Sequence, residues 1–406
     1  MTIDISTAVH PVAAADVLGP LPGRPRVLAL GEPTHGENVL LEVRNDLFRQ
    51  LAVDAGYRTV AIESDCLAGT LVDDYVTGGA GDLDEVMERG FSHGFGAAPA
   101  NRDLVRWMRA CNQDRPAAER LRFAGFDGPV EISGGAGPRP ALTALHTFLA
   151  ARLDPGVLPG TAEELAALAG ADQRWSDPAA MTDPSASAGG TPEAARLRLF
   201  ADDLAALLDE EAPHLIATAT PDEWDQARMH ARTAVGLLRY HAAMADESPA
   251  RLGRLLRVRS AMMAGTLLDL AARGPVLVFA HHSHLQRGRS SMRMGGQLLR
   301  WWSAGALVAE RLGERYAVLA TTLGTITHRG VGAPPADTVE GMLCALPGDR
   351  YVVDTRRLTG LLGDAAPPAR ESPWFGYAPL DPARLPDLDG LVFVRDAPEH
   401  PRWWVV

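Results

Sequence analysis

The chain has 406 residues, 46% of them hydrophobic and 22% charged, with a formal net charge of -12, a composition that suits a globular protein with one large core and an appended region. The acidic balance and the lack of any Lys/Arg block interleaved with aromatics argue against a nucleic-acid partner. No stretch is apolar and uncharged for the roughly 20 residues of a membrane span, and the first residues have no basic start followed by an apolar run, so a cytoplasmic protein without a membrane partner is expected.

In chain order, short runs rich in Val, Ile and Leu predict strands at 27–30, 59–62, 122–126, 276–280, 316–323, 351–353 and 391–394. These runs are continuously apolar rather than alternating, and helical patterns separate the early ones. Both features predict an α/β fold whose central sheet is largely parallel or mixed and flanked by helices. A helix beginning near Glu37 brings Leu40, Leu47, Phe48, Leu51 and Ala55 to one face, with Arg44 in the middle of that face. A guanidinium in such a place calls for a carboxylate or an anionic ligand beside it, unless its head reaches out to water. Residues 141–273 are dominated by Ala, Leu, Arg and Glu at helical spacing and contain no strand, which predicts a helical insertion or lid between two parts of the core, 1–140 and 274–406. Within it, 183–191 has the Ser/Gly/Pro content of a mobile loop, and 330–337 reads as a surface loop. Cys66, Cys111 and Cys344 are too scattered for a disulfide framework or a cysteine zinc site.

Four of the predicted strands end in chemically capable side chains. The first runs into Gly31-Glu32-Pro33-Thr34-His35-Gly36, the second into Glu63, the third into Asp127, and the fourth into His281-His282-Ser283-His284. Carboxyl ends of parallel strands share one edge, where ligands bind, so these groups are expected to converge, with Arg44 as their cation. His35 suits a general base. The amino terminus of the following helix disfavours its imidazolium, whereas a carboxylate from Glu32 or Glu63 would favour it and fix the tautomer; the sequence leaves that balance open. No Gly-x-Ser-x-Gly elbow is present, and water is the natural nucleophile. His282 should point away from its neighbour His281 if the strand persists.

The Gly31–Gly36 turn, Arg44, Glu63, Gly125-Phe126-Asp127 and Ala280-His281-His282-Ser283-His284 together resemble the successive motifs of the erythromycin esterase family, in order and spacing. The resemblance implies a metal-independent, cofactor-free hydrolase that opens an ester or lactone of a small molecule by water attack. His35 matches the proposed base, and Glu32, Glu63, His281 and His284 match the other catalytic groups. Arg44, Asp127 and His282 fall among the residues expected to bind substrate, with Asp127 better placed as a support. Arg259-Ser260 and Gly265-Thr266 depart from the family's usual Arg-Asp and Glu-Asn, and 90–100 lacks the expected tryptophan.

Rival readings use the same residues. A cyclase or dehydratase of secondary metabolism would need the same acid and base. Glu32, His35, Glu63, His281 and His284 would also suit a metal-dependent hydrolase. A non-catalytic binder of small molecules would keep the cleft and lose the chemistry. His93, His230 and His241 have no evident partners, and the pairs Trp301-Trp302 and Trp403-Trp404 read equally as packing or as cleft lining.

Overall fold

The computed structural model describes residues 4–131, 134–294, 296–401 and 403–404. One eight-stranded sheet organises it, with strands β1 (Val9–His10), β2 (Val27–Glu32), β3 (Thr59–Asp65), β4 (Arg122–Asp127), β5 (Val276–His281), β6 (Tyr316–Thr325), β7 (Arg350–Val353) and β8 (Gly390–Asp396). Their order across the sheet is β1-β7-β8-β6-β2-β5-β3-β4. The six strands from β8 to β4 are mutually parallel, while β7 runs antiparallel to β8 and β1 antiparallel to β7. The fold is therefore α/β with a largely parallel, mixed sheet, as the apolar runs predict. All seven predicted strands are present and most extend a residue or more into the polar positions beyond each run.

Both sheet faces are covered, which is why the runs are continuous. Leu28, Leu30, Val60, Ile62, Leu277 and Phe279 enter the core on the face of helix α1 (Asn38–Asp54). Val27, Ala29, Ala61, Val276 and Val278 pack on the other face with Met263, Leu267 and Leu270 of helix α6 (Arg251–Arg273). Between β4 and β5 the main helices are α3 (Arg139–Ala150), α4 (Pro192–Glu210), α5 (Pro221–Met244) and α6 (Arg251–Arg273); α2 (Pro99–Asn112) precedes β4. Leu142, Leu145, Leu197, Leu204, Ala234 and Leu238 give α3, α4 and α5 a core of their own. Helix α5 starts on a reciprocal cap: the Thr220 hydroxyl accepts from the Glu223 amide, and the Glu223 carboxylate accepts from the Thr220 amide. Pro221 follows in the first helical turn, where its missing N–H costs nothing.

One expectation is refined and one element goes beyond those expected. Residues 183–191 do not form an open loop but two tight 3-10 turns, Pro184–Ala186 and Ala188–Gly190. Asp183 and Ser187 cap these turns, and the Ser187 hydroxyl also reaches the His241 carbonyl at 3.1 Å. The short polar side chains that read as mobility here tie down the backbone. A hairpin of Arg289–Met294 and Gln297–Trp302 went unpredicted. Its alternation buries only Ser290, Leu299 and Trp301, while Arg289, Arg293 and Arg300 are exposed together with Leu298 and Trp302. Among the described residues no helix is long and apolar enough to cross a membrane.

Candidate active site

Four consecutive strands, β2, β5, β3 and β4, present their carboxyl ends side by side. Glu32 lies level with His281 across the β2–β5 pair, and Glu63 and Asp127 follow on β3 and β4. Alternation along each strand then divides the groups. Glu32 and His281 continue the α1 face of the sheet, whereas Glu63 continues the face covered by α6.

His35 stands at the centre. Its Nδ1–H donates to Glu32 Oε1 at 2.6 Å, and its Nε2 faces Glu63 Oε2 at 3.9 Å. Burial works against the imidazolium, but Glu63 and Glu32 together outweigh it and raise His35 above the ordinary histidine value. The balance left open by the sequence thus falls to the carboxylates. Burial likewise pushes the Glu32 carboxyl up against the pull of His35, so the pair holds its shared proton tightly. The turn that presents His35 needs Gly36, whose φ is +92° and whose position would set a Cβ 3.0 Å from the Trp404 Cβ. Aromatic rings wall the imidazole: Trp404 at 4.7 Å, His281 at 5.4 Å and Phe95 at 5.5 Å between centroids, with Phe95 stacked on Trp404.

Glu63 is the most heavily bonded carboxylate. Its Oε2 accepts from the His281 amide at 2.9 Å, while its Oε1 accepts from Arg259 at 3.1 Å and lies 3.1 Å from His284 Nε2. Burial opposes its charge, yet His284, His35 and Arg259 hold it well below the usual carboxylate range. His281 is fixed by its own turn. The Ser283 amide donates to His281 Nδ1 at 3.2 Å, so the neutral ring carries its proton on Nε2. Burial, reinforced by the nearby His35 and His282, keeps His281 well below the normal histidine range.

Arg259, on α6, joins the two carboxylates of β3 and β4. It reaches Asp127 through Nε at 2.9 Å and through Nη2 at 2.5 Å, and Glu63 through the same Nη2. Asp127 also takes an N–H from Gly128 and faces His93 Nε2 at 3.3 Å. Burial disfavours its charge, but Arg259 and His93 pull it below the usual value. Among the described residues no cluster of three or more His, Cys, Asp and Glu side chains is disposed to hold a metal ion; these donors are engaged with one another.

Three of the expected substrate-binding residues are placed elsewhere. Arg44 is fully buried beneath the site, with Nε and Nη2 bonded to Asn45 Oδ1 at 3.0 and 2.7 Å and Nη2 bonded to Asn101 Oδ1 at 2.8 Å. Its hydrogen bonds go to neutral amides, the Glu32 carboxylate favours its charge from further off, and its guanidinium lies over the Phe279 ring. Burial lowers it to about 9, and it stays charged at neutral pH. Asn101 in turn holds the Phe95 carbonyl at 2.8 Å, so Arg44 braces the wall of the site rather than lining it. Asp127 is sealed from solvent by its partners. His282 turns to the opposite face, where its Nε2–H donates to the Thr321 carbonyl at 2.8 Å. Its ring lies over Gly31, where an added Cβ would sit 2.4 Å from Nδ1. Gly31→Ala must therefore displace a tethered ring, and is expected to cost about 1–3 kcal/mol in chemical unfolding.

Residues missed by the sequence reading complete the site. In the sequence Arg259 is visible only as the retained half of a pair whose second residue, Ser260, departs from the family pattern, His93 shows no partner, and Trp404 reads equally as packing or cleft lining.

The erythromycin esterase family profile matches residues 53–396, from the end of α1 to the last strand. The chain belongs to the erythromycin esterase family. This is a family of esterase-like hydrolases, and solved structures share its fold. A Bacillus cereus protein is 17% identical with a TM-score of 0.73, covering 99% of this chain and 98% of its own. A succinoglycan biosynthesis protein is 15% identical with a TM-score of 0.70, covering 97% and 95%. A mutant of erythromycin esterase EreC in its open conformation is 18% identical with a TM-score of 0.69, covering 95% and 94%. At these identities the likeness is one of fold.

Proposed function

We propose that this family member hydrolyses an ester or lactone of a small molecule by attack of water activated at His35. One observation carries the reading: Glu32 takes the Nδ1 proton of His35, which leaves the Nε2 lone pair facing Glu63 Oε2 across 3.9 Å. A water hydrogen-bonded to both at about 2.8 Å fits over that gap. Nε2 then accepts one of its protons while Glu63 orients the other.

As the water oxygen bonds to the acyl carbon, negative charge develops on the carbonyl oxygen. The Nε2–H of neutral His281 is the donor best disposed to meet it. When the tetrahedral species collapses, the acyl C–O bond breaks and the leaving alkoxide takes the proton now on His35 Nε2. Glu63 stays ionised throughout, because its three cationic or N–H partners stabilise the charged form. His284 acts on Glu63 rather than on substrate.

The base must be neutral to work. Because His35 is raised above its ordinary value of 6.5, kcat/KM is expected to fall as pH drops through a midpoint above 6.5, and a pH profile checks this. Mass-spectrometric screening of erythromycin and other lactones tests the reaction class. A product one water heavier supports hydrolysis, and one of equal or lower mass would assign the same residues to cyclisation or dehydration.

A further inference from the structure

His93 is hydrogen-bonded through both ring nitrogens to carboxylates. Nδ1 lies 2.6 Å from Glu131 Oε2 and Nε2 3.3 Å from Asp127 Oδ2, and the His93 amide donates to Glu131 Oε1 at 3.0 Å. Two acceptors demand two N–H donors, so the ring is an imidazolium. His93 is also the one non-glycine among the described residues with a left-handed backbone, at φ +56°. A side chain so fully engaged on so unfavourable a backbone marks a conformation that the surroundings impose. Two residues on, Phe95 meets the His35 ring edge-on, and it also lies 5.9 Å from the His93 ring.

We propose that His93 is a positioning residue, a clamp that ties the turn carrying Phe95 to Asp127 and Glu131 and through Phe95 holds the imidazole of His35 in place. The proposal rests on the reading of His35 as the general base. Among the described residues, two other sets of hydrogen bonds anchor the turn, beside the packing of Phe95 on Trp404. Ser92 is joined to β3 through its amide on the Ser64 hydroxyl and its own hydroxyl on the Asp65 amide, and Asn101 grips the Phe95 carbonyl. Among the described residues, His93 alone makes hydrogen bonds that connect the turn to the charged cluster of Asp127, Arg259 and Glu63. The charged groups bearing on its ring are Asp127, Glu131 and Arg259, with Asp65 and His35 beyond them. Burial opposes its charge, but the bonds to Asp127 and Glu131 outweigh it and raise the ring to about 9. Its positive charge in turn restrains the rise of His35.

The test uses the full chain with 15N-labelled histidine. In the wild type, both His93 ring nitrogens are expected to show protonated shifts at pH 7.5 and to titrate near 9, with a nuclear Overhauser contact between the Phe95 and His35 rings. His93→Asn tolerates the left-handed backbone but carries no charge, and His93→Gly adopts it without strain. Each is expected to weaken the Phe95–His35 contact, to move the His35 titration upward, and to lower kcat on erythromycin about tenfold with KM unchanged. A singly protonated His93 at pH 7.5 would overturn the clamp. So would an unchanged ring contact and His35 midpoint in both variants. His35→Gln keeps the two claims apart: retained turnover of erythromycin there would remove the base on which the proposal rests, whereas silent spectra in the His93 variants would remove the clamp alone.

Discussion

His35→Gln is expected to lower kcat for ester hydrolysis by roughly 10²–10⁴-fold, the range supplied by a positioned general base. Glutamine offers an amide N–H that can still donate to Glu32 but no nitrogen lone pair, so it removes the proton acceptor and preserves the bond that orients it. The side chain is partly accessible, and the turn that carries it is set by Gly36 and by backbone contacts such as the Ala378 amide on the Pro33 carbonyl at 2.8 Å. The fold should therefore survive, with a circular dichroism spectrum like that of the wild type. KM should change little, because the base contributes to the transition state rather than to ground-state binding.

Arg259→Met is expected to be the most destabilising single change at the site, costing about 3–5 kcal/mol in denaturant unfolding. It strips the shared cation from Asp127 and Glu63, both almost wholly buried. Methionine fills much of the arginine stem's space, so the loss is chiefly electrostatic. Adding Asp127→Asn should return part of the stability, because the worst uncompensated charge is then gone; a double-mutant cycle measures the coupling. Glu63, left with only His35, His284 and the His281 amide, should rise in pKa and hold water less well, so kcat falls too. Equal losses in the single variants with no coupling would contradict the assigned ion-pair bridge.

The pH dependence of stability follows from the same pairs. Asp127 and Glu63 are depressed, so their contribution is complete above the ordinary carboxylate range near 4 and is lost as pH falls through their lowered values. His93 is raised, so its contribution is complete below the ordinary histidine value near 6.5 and is lost as pH climbs through about 9. Thermal unfolding across pH should show a plateau between the carboxylate and histidine ranges, and His93→Asn should reduce the alkaline decline, leaving the part that the raised His35 contributes.

The parts of the site that lie at strand ends were legible in the sequence. Continuous apolar runs reveal buried parallel strands, and the polar residue after each run marks the common edge that Glu32, His35, Glu63, Asp127 and His281 share. Arg44 was visible as a misfit on an apolar helix face. The nature of its partners was not, because Asn45 and Asn101 are neutral and one of them lies 57 positions away. Arg259 sits 132 residues from Asp127 in a helix that also carries Arg254 and Arg257, and nothing local sets it apart. His93 depends on a left-handed backbone and on partners 34 and 38 residues away. Its one local sign is a histidine placed directly before Gly94 between two buried phenylalanines, Phe91 and Phe95. Trp404 reaches His35 from the far end of the chain, a contact that no periodicity records.

In the proposed reaction, water activated at His35 becomes part of the product. Turnover of an accepted lactone or ester in H₂¹⁸O tests this directly. Wild-type protein is expected to place one ¹⁸O atom in the product carboxylate, and His35→Gln to slow that labelling by at least about a hundredfold. A product formed without ¹⁸O, or labelling that proceeds at the wild-type rate without His35, would contradict it.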